Sequence, residues 1–141
     1  MKNRIYYLLL LFLTMFLIYS CEPNNSGGND IASRLEGKWA VSETSSLFKS
    51  ALDAYDVFIT IDEIDSTTIY ISNFYGIGGT YDVRATVNDL NLTIPKQTVN
   101  GSDFTGTGVI SKNYKTITWK YKVVFESGDV DNVDATYQKV E

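Results

Sequence analysis

TITWKYKVVF, residues 116–125, alternates between apolar and polar side chains along most of its length. Successive side chains of a β-strand point to opposite faces, so this pattern predicts a strand with one buried face and one solvated face. Sheets with one solvated face are typically antiparallel. The buried face of this strand would carry mainly large side chains: Ile117, Trp119, Tyr121, Val123 and Phe125.

Seven further strands are predicted from the same kind of pattern. YDVFITI at 55–61 and TYDVRATV at 80–87 alternate as clearly, and five less regular runs lie at 38–44, 67–74, 90–94, 104–111 and 133–140. Short turn signals rich in glycine, asparagine and aspartate separate these runs. The predicted fold class is all-β, an eight-stranded antiparallel up-and-down barrel, because closure removes exposed strand edges. A two-sheet sandwich would bury the same faces.

One segment departs from the strand periodicity. Its apolar residues recur at helical spacing, which predicts one short helix at 46–54, after the first strand: Leu47, Phe48, Ala51, Leu52 and Tyr55. Such a helix would cover one opening of the barrel, either as a lid or as a fixed plug.

The N-terminus has the layout of an export signal. Lys2 and Arg4 precede a nearly unbroken apolar run at residues 5–19. As a helix this run reaches only about 22 Å, which is short for a hydrocarbon core of about 30 Å. We therefore interpret residues 1–20 as a signal peptide that is removed, rather than as a permanent membrane anchor.

Cys21, the single cysteine of the chain, follows this run directly. Residues 18–21 read IYSC, which resembles the bacterial lipobox, where the cysteine thiol takes a diacylglycerol and the signal is cut before it. A buried thiol is the alternative, but the polar segment that follows Cys21 would not bury it. The resemblance implies that lipidated Cys21 attaches the protein to a membrane by two or three acyl chains, which bind far more firmly than one.

The lipobox resemblance also implies a location. Glu22 is not the aspartate that often retains a lipoprotein at the inner membrane, so the expected location is the bacterial cell envelope, with delivery to the outer membrane. Residues 21–30 are predicted to form a flexible tether, and residues 31–141 a single barrel domain.

The charge of the mature chain argues against nucleic-acid binding. Removing Lys2 and Arg4 with the signal lowers the 12 Lys and Arg of the chain to 10, against 17 Asp and Glu. An acidic body of this kind is repelled by the phosphate backbone. We therefore expect no nucleic-acid partner.

The composition also argues against catalysis and metal binding. The chain contains no histidine, which removes the usual neutral-pH general base and the most common metal ligand. The carboxylates at 53–65 suit the solvated face of a strand better than a catalytic pair. Asp129, Asp131 and Asp134 lack the spacing of a calcium loop. We predict a protein that is not an enzyme, with no catalytic residue, no metal site and no cofactor.

The order of motifs resembles that of small lipocalin-like lipoproteins of Gram-negative bacteria over most of residues 35–139. Gly37 and Trp39 match the G-x-W start of the first lipocalin strand, where the tryptophan plugs one end of the barrel. Lipocalins place an arginine from the last strands over this tryptophan, where the present chain offers lysines: Lys120, Lys122 and Lys139. Further matches are ISNFYG at 71–76, LTIP at 92–95 with Gln97, the alternating Gly106 and Gly108, and the closing aromatic strand at 135–139.

Six residues are candidates for contacts with a ligand. Phe74 and Tyr75 precede the turn at Gly76 and are expected at a barrel mouth, where rings can stack on a ligand. Gly106 and Gly108 lie on one strand face, where they either bend the sheet or leave room for a ligand. The aromatic strand adds two large rings at neighbouring inward positions, Trp119 and Tyr121.

Two functions remain open on this sequence. The first is a membrane-tethered binding protein for a small apolar ligand or for another protein of the envelope. The second is a structural or interaction lipoprotein with a solid barrel core and no small ligand. Asp65, Ser66 and Thr67 also resemble the short motif that certain bacteria glycosylate on exported proteins, which makes Ser66 or Thr67 a candidate modification site.

Overall fold

The computed structural model describes residues 26–48 and 54–141. Residues 1–25, which include Cys21 and the predicted signal peptide, and residues 49–53 lie outside the described residues. The described elements are helix α1 (Ser26–Leu35), a 3₁₀ turn (Phe74–Gly76) and the strands β1 (Gly37–Ser45), β2 (Tyr55–Ile61), β3 (Thr68–Ser72), β4 (Asp82–Asn88), β5 (Asn91–Val99), β6 (Ser102–Ile110), β7 (Thr116–Val124) and β8 (Val130–Lys139).

The eight strands form a closed barrel. Each strand pairs antiparallel with its neighbours in sequence order, and β8 pairs back with β1. This confirms the predicted up-and-down barrel and excludes the sandwich. The alternation at 116–125 is the burial pattern of β7, in which Trp119 and Tyr121 are buried while Lys120 and Lys122 are exposed.

Strand β5 extends beyond the segment predicted for it. The sequence predicts a strand at 90–94, whereas β5 continues to Val99 with a shift in register between Ile94 and Gln97. Pro95 lies at this shift, where a residue without a backbone N–H is tolerated. The Gln97 side chain accepts a hydrogen bond from the Arg84 backbone N–H at 2.9 Å and donates one to the Arg84 carbonyl at 2.7 Å. A glutamine side chain thus completes the pairing of β4 with β5 beyond the proline.

Helix α1 covers the end of the barrel where β1 begins, which we call the Trp39 end. The helix packs on β2 and β4, and the fully buried Trp39 donates its indole Nε1–H to the carbonyl oxygen of Leu35 at 2.8 Å. The Nζ atom of Lys139 lies 5.7 Å from the centre of the Trp39 ring and donates to the Arg34 carbonyl. Gly37 has a φ of +119°, which glycine adopts readily and which lets the chain pass from α1 into β1.

The described helix precedes β1, whereas the sequence predicts a short helix after it, at 46–54. Within that segment residues 46–48 form a turn, and residues 49–53 lie outside the described residues. The Ser45 hydroxyl accepts hydrogen bonds from the backbone N–H groups of Leu47 and Phe48 at 3.2 and 3.0 Å, which is the pattern of a serine that caps the start of a helix. Helix α1 begins at Ser26 and thus includes half of the segment predicted as a tether.

The described residues include no helix with the length and hydropathy needed to cross a membrane.

Candidate functional site

A ring from a loop occupies the centre of the barrel. Phe74 lies in the 3₁₀ turn between β3 and β4, and its side chain is fully buried. The Phe74 ring centre lies close to four ring centres of β6, β7 and β8: Tyr121 at 4.6 Å, Phe104 at 5.9 Å, Trp119 at 6.0 Å and Tyr137 at 6.2 Å. The side chain predicted to lie at the barrel mouth is therefore inside the barrel.

The backbone on both sides of Phe74 is left-handed. Asn73 has a φ of 60° and Tyr75 a φ of 56°. Asparagine tolerates this conformation, and the Asn73 amide donates to the Asp56 carbonyl at 2.8 Å and accepts from the Gly78 N–H at 2.9 Å. For Tyr75 the same conformation costs roughly 1–2 kcal/mol. The turn that carries Phe74 is thus held in a strained conformation.

A hydrogen bond to Asp131 fastens this turn to the barrel wall. Asp131 lies near the start of β8, at the end of the barrel opposite Trp39, and is fully buried. Its carboxylate accepts from the Tyr75 hydroxyl at 2.7 Å, from the hydroxyls of Ser45 and Ser46 at 2.6 and 3.1 Å, and from the Leu47 N–H at 3.0 Å. Burial raises the pKa of Asp131, but the hydrogen bonds outweigh it and the pKa lies below the usual value. Asp131 is therefore ionised at neutral pH and ties Tyr75 to the β1 and β8 termini.

A second buried carboxyl lies deeper, on β1. Glu43 is 2% exposed, and its Oε1 atom accepts hydrogen bonds from the hydroxyls of Tyr55, at 2.5 Å, and of Tyr121. Burial raises the pKa of Glu43, against a smaller lowering by the two tyrosine hydroxyls. Burial also holds the pKa values of Tyr55, Tyr121 and Tyr137 well above the usual value. Neutral hydroxyls thus surround a carboxyl group whose ionised form is disfavoured by burial.

Three buried polar atoms in this part of the barrel find no partner among the described residues within the usual limits of hydrogen-bond geometry: Glu43 Oε2, Trp119 Nε1 and the Tyr137 hydroxyl, the last of which interacts with the Tyr55 hydroxyl. A buried polar atom left without a partner costs roughly 1–3 kcal/mol, and native structures contain few of them. Three such atoms in one barrel interior therefore require an explanation.

The strand register brings the residues that carry these three atoms to neighbouring positions. Ala135 on β8 pairs with Glu43 on one side and with Trp119 on the other. All three residues point inward by the alternation of their strands, so the small Ala135 lies between the two larger side chains. Tyr137 is the next inward residue on β8, and its ring centre lies 6.1 Å from that of Trp119. The unpartnered atoms thus belong to one group of adjacent inward side chains, two of which also contact Phe74.

The two glycines of β6 make room for rings of the neighbouring strand. Gly106 pairs with Tyr121 and Gly108 with Trp119. A Cβ atom on Gly106 would lie 2.4 Å from the Tyr121 Cβ, and one on Gly108 would lie 2.7 Å from a carbon of the Trp119 ring. The space next to each glycine is therefore occupied by atoms of β7. The two sequence-based interpretations were a bend in the sheet and room for a ligand, and neither anticipates this close packing.

Two hollows lined by described residues are open to solvent. One of about 360 Å³ follows the outer side of β6–β8 around Lys120, Lys122 and Asp134, and another of about 500 Å³ lies between the loops at 100–102 and 125–127. The interior is filled mainly by five large, fully buried side chains: Trp39, Phe74, Phe104, Trp119 and Tyr137.

Three residues of the site were not predicted from the sequence: Glu43, Tyr55 and Tyr137. One signal was present, because Glu43 continues the inward alternation of Trp39 and Val41 along β1 and a charged residue at such a position is unusual. The partners of Glu43 lie 12 and 78 residues away in sequence, so no local pattern connects them.

The three aspartates considered for a calcium loop have separate partners. Asp131 accepts from the hydroxyls of Tyr75, Ser45 and Ser46. Asp129 accepts from the Ser127 hydroxyl at 2.8 Å, and Asp134 pairs with Lys120 at 2.5 Å. Within the part of the chain that the structure describes, no group of three or more histidine, cysteine, aspartate or glutamate side chains has a geometry that could hold a metal ion.

The segment considered for glycosylation forms an exposed loop between β2 and β3. The Asp65 carboxylate accepts from the Thr67 backbone N–H at 3.0 Å and from the Thr67 hydroxyl at 2.7 Å. Thr67 is exposed and Ser66 is half-buried.

Comparison with known proteins supports the fold alone. No family model matches the chain, and no curated protein matches it significantly. Among solved structures, the chain is similar to a protein of unknown function from Bacteroides ovatus, whose crystal structure was determined by structural genomics at 2.40 Å resolution. The TM-score is 0.51 and the sequence identity is 11%. The match covers 73% of this chain and 41% of that chain, so this chain spans less than half of the protein it resembles.

Proposed function

We propose that the protein is a membrane-tethered, non-enzymatic lipoprotein of the bacterial envelope that binds a small, largely apolar molecule inside its barrel. The observation that carries this proposal is the position of Phe74. The ring at the centre of the barrel belongs to a loop and not to a wall strand. Moving the loop outward would therefore vacate a ring-sized space between four aromatic rings without breaking any strand pairing.

The strain of the turn lowers the free energy that such a movement requires. The left-handed conformation of Tyr75 is strained, and opening the turn would release that strain. Against this, the closed turn is held by the burial of Phe74 and by the hydrogen bond from Tyr75 to Asp131. A ligand that replaces the Phe74 ring would recover most of the lost apolar contacts. In this proposal the described conformation is the closed one, and the ligand selects an open one.

The Trp39 end supports the lipocalin-like part of the proposal. Lys139 lies over the Trp39 ring, in the place where the family resemblance implies an arginine. Helix α1 covers the same end. A ligand would therefore enter from the opposite end, where the Phe74 turn and Asp131 lie.

The proposed anchor predicts a result for Cys21. Replacing Cys21 with Ala is expected to abolish incorporation of a radiolabelled fatty acid in a bacterial host and to move the protein from the membrane to the soluble fraction, because no other residue offers the lipobox thiol. Equal labelling of the two proteins would contradict lipid attachment at this position.

The proposed binding predicts a result for Tyr75. A hydrogen bond to an ionised group contributes roughly 1.5–3 kcal/mol, so Tyr75→Phe should shift the turn toward the open state. The apparent affinity rises with the open fraction, and we expect toluene to bind about tenfold more tightly to this variant than to the wild type. The measurement is an NMR titration of the two indole N–H signals. The Trp119 signal should shift in a saturable way, whereas that of Trp39, at the far end, should not.

Tyr70→Phe is the matched control for this titration. The Tyr70 hydroxyl donates to the Asp62 carboxylate at 2.9 Å, outside the barrel, so this variant loses the same kind of bond away from the Phe74 turn. Its toluene affinity should equal that of the wild type. An unchanged Trp119 signal at saturating toluene, in both the wild type and Tyr75→Phe, would contradict the proposal.

A second function is supported by the filled interior. The barrel is packed by its own side chains, and the space beside Gly106 and Gly108 is taken by Tyr121 and Trp119. These observations favour a solid barrel that contacts another protein of the envelope. Absence of toluene uptake in the wild type and in Tyr75→Phe would select this function.

A further inference from the structure

The interior restricts the chemistry of the proposed ligand beyond its apolar character. We infer that the ligand is a single flat ring that carries one neutral group able both to donate and to accept hydrogen bonds, such as a phenolic hydroxyl. This inference rests on the proposed function, because it assumes that the ligand takes the place of Phe74.

The size follows from what the turn would vacate. Phe74 fills the space between the rings of Phe104, Trp119, Tyr121 and Tyr137 with one six-membered ring. The facing rings meet it edge-on or tilted, with interplanar angles between 53° and 89°. A second flat ring preserves these favourable aromatic contacts, whereas a branched aliphatic group would not.

The polar group follows from the three unpartnered atoms. The Trp119 indole N–H only donates, so it requires an acceptor on the ligand. Glu43 Oε2 accepts when the carboxyl is ionised and can donate when it is protonated, and the Tyr137 hydroxyl can do either. A ligand hydroxyl accepts from the indole and exchanges a second hydrogen bond with Glu43 or Tyr137. It therefore satisfies atoms that a pure hydrocarbon would leave unpartnered.

The neutrality follows from the charges of the interior. No lysine or arginine is among the buried residues of the described chain, so a bound anion would face the ionised Asp131 without a buried cation to compensate it. An ammonium group would require an ionised Glu43, which burial disfavours, and it offers no acceptor to the Trp119 N–H. A neutral group avoids both the uncompensated negative charge and the need to ionise Glu43.

The test compares ligands that differ in one group. Toluene, p-cresol, benzoate and benzylamine have the same ring and are titrated into the wild type and into Tyr137→Phe, following the Trp119 indole signal by NMR. Tyr137→Phe removes a hydroxyl that makes no hydrogen bond of normal geometry to the described residues and keeps the buried ring, so the variant should fold. We expect p-cresol to bind the wild type about tenfold more tightly than toluene, and this advantage to fall severalfold in Tyr137→Phe.

The outcomes separate this inference from the proposed function. Equal affinities for toluene and p-cresol would overturn the inference while leaving the binding function intact, and would indicate that water satisfies the three atoms. Tighter binding of benzylamine or benzoate than of p-cresol would overturn the inference that the polar group of the ligand is neutral. If no compound shifts the Trp119 signal in the wild type or in Tyr75→Phe, the binding function fails and the inference fails with it.

Discussion

Gly106→Ala is expected to lower the free energy of unfolding by about 3 kcal/mol, because the added methyl group has no space on the inner face of β6. Its Cβ would lie 2.4 Å from the Tyr121 Cβ and 2.7 Å from the Lys120 carbonyl oxygen. Both atoms belong to the part of β7 that pairs with Gly106, so relief requires the two strands to separate. The measurement is urea unfolding followed by tryptophan fluorescence and circular dichroism.

Gly79→Ala is the matched control for this substitution. Gly79 lies in an exposed part of the loop between β3 and β4, has no positive φ, and would place its Cβ within 4 Å of no described atom other than those of its chain neighbours. Its stability should therefore stay within about 0.5 kcal/mol of the wild type. Equal stability of Gly106→Ala and Gly79→Ala would contradict the described packing of β6 on β7.

Phe74→Ala is expected to lower the free energy of unfolding by about 4 kcal/mol, since it removes a fully buried ring from the centre of the barrel. A small domain has roughly 5–15 kcal/mol in total, so this loss is a large fraction of its stability. Toluene should restore part of the loss by occupying the vacated space, and the midpoint of unfolding should rise with toluene concentration. Urea unfolding with and without toluene measures both effects.

Phe58→Ala is the matched control for the ring deletion. Phe58 lies on the outer side of β2 and is 52% exposed. This variant should lose less than about 1 kcal/mol and should gain nothing from toluene. Comparable losses in the two variants would show that the Phe74 ring is not buried inside the barrel.

Most of the fold could be predicted from the sequence, because its determinants are local. The alternation of 55–61 and of 116–125 corresponds to the inner and outer faces of β2 and β7. Turn residues at short spacing imply neighbouring antiparallel strands, which leads to an up-and-down order. The continuation of β5 past Pro95 was not predicted, since it depends on a bulge and on the Gln97 side chain bonding Arg84 on another strand.

The candidate site was predictable only in part. The sequence selects Phe74, Tyr75, Trp119 and Tyr121 as large rings near turns or on an inward face, and three of them meet in the barrel centre. It does not indicate that Phe74 points inward, because a loop has no periodicity that fixes the direction of a side chain. The pairing of Tyr75 with Asp131 spans 56 residues and exists only when β8 closes on β1.

The sequence by itself determined the strands, their order, the inward and outward faces and the acidic, histidine-free composition, because period-two patterning and composition act within a few residues of chain. Only the tertiary structure decided what occupies the interior. Closure of the barrel brings Glu43, Trp119 and Tyr137 to adjacent inward positions, inserts the loop ring of Phe74 between the wall strands, and fills the space beside Gly106. These contacts join residues far apart in sequence, and their strength comes from burial, which no single segment has before the barrel is closed.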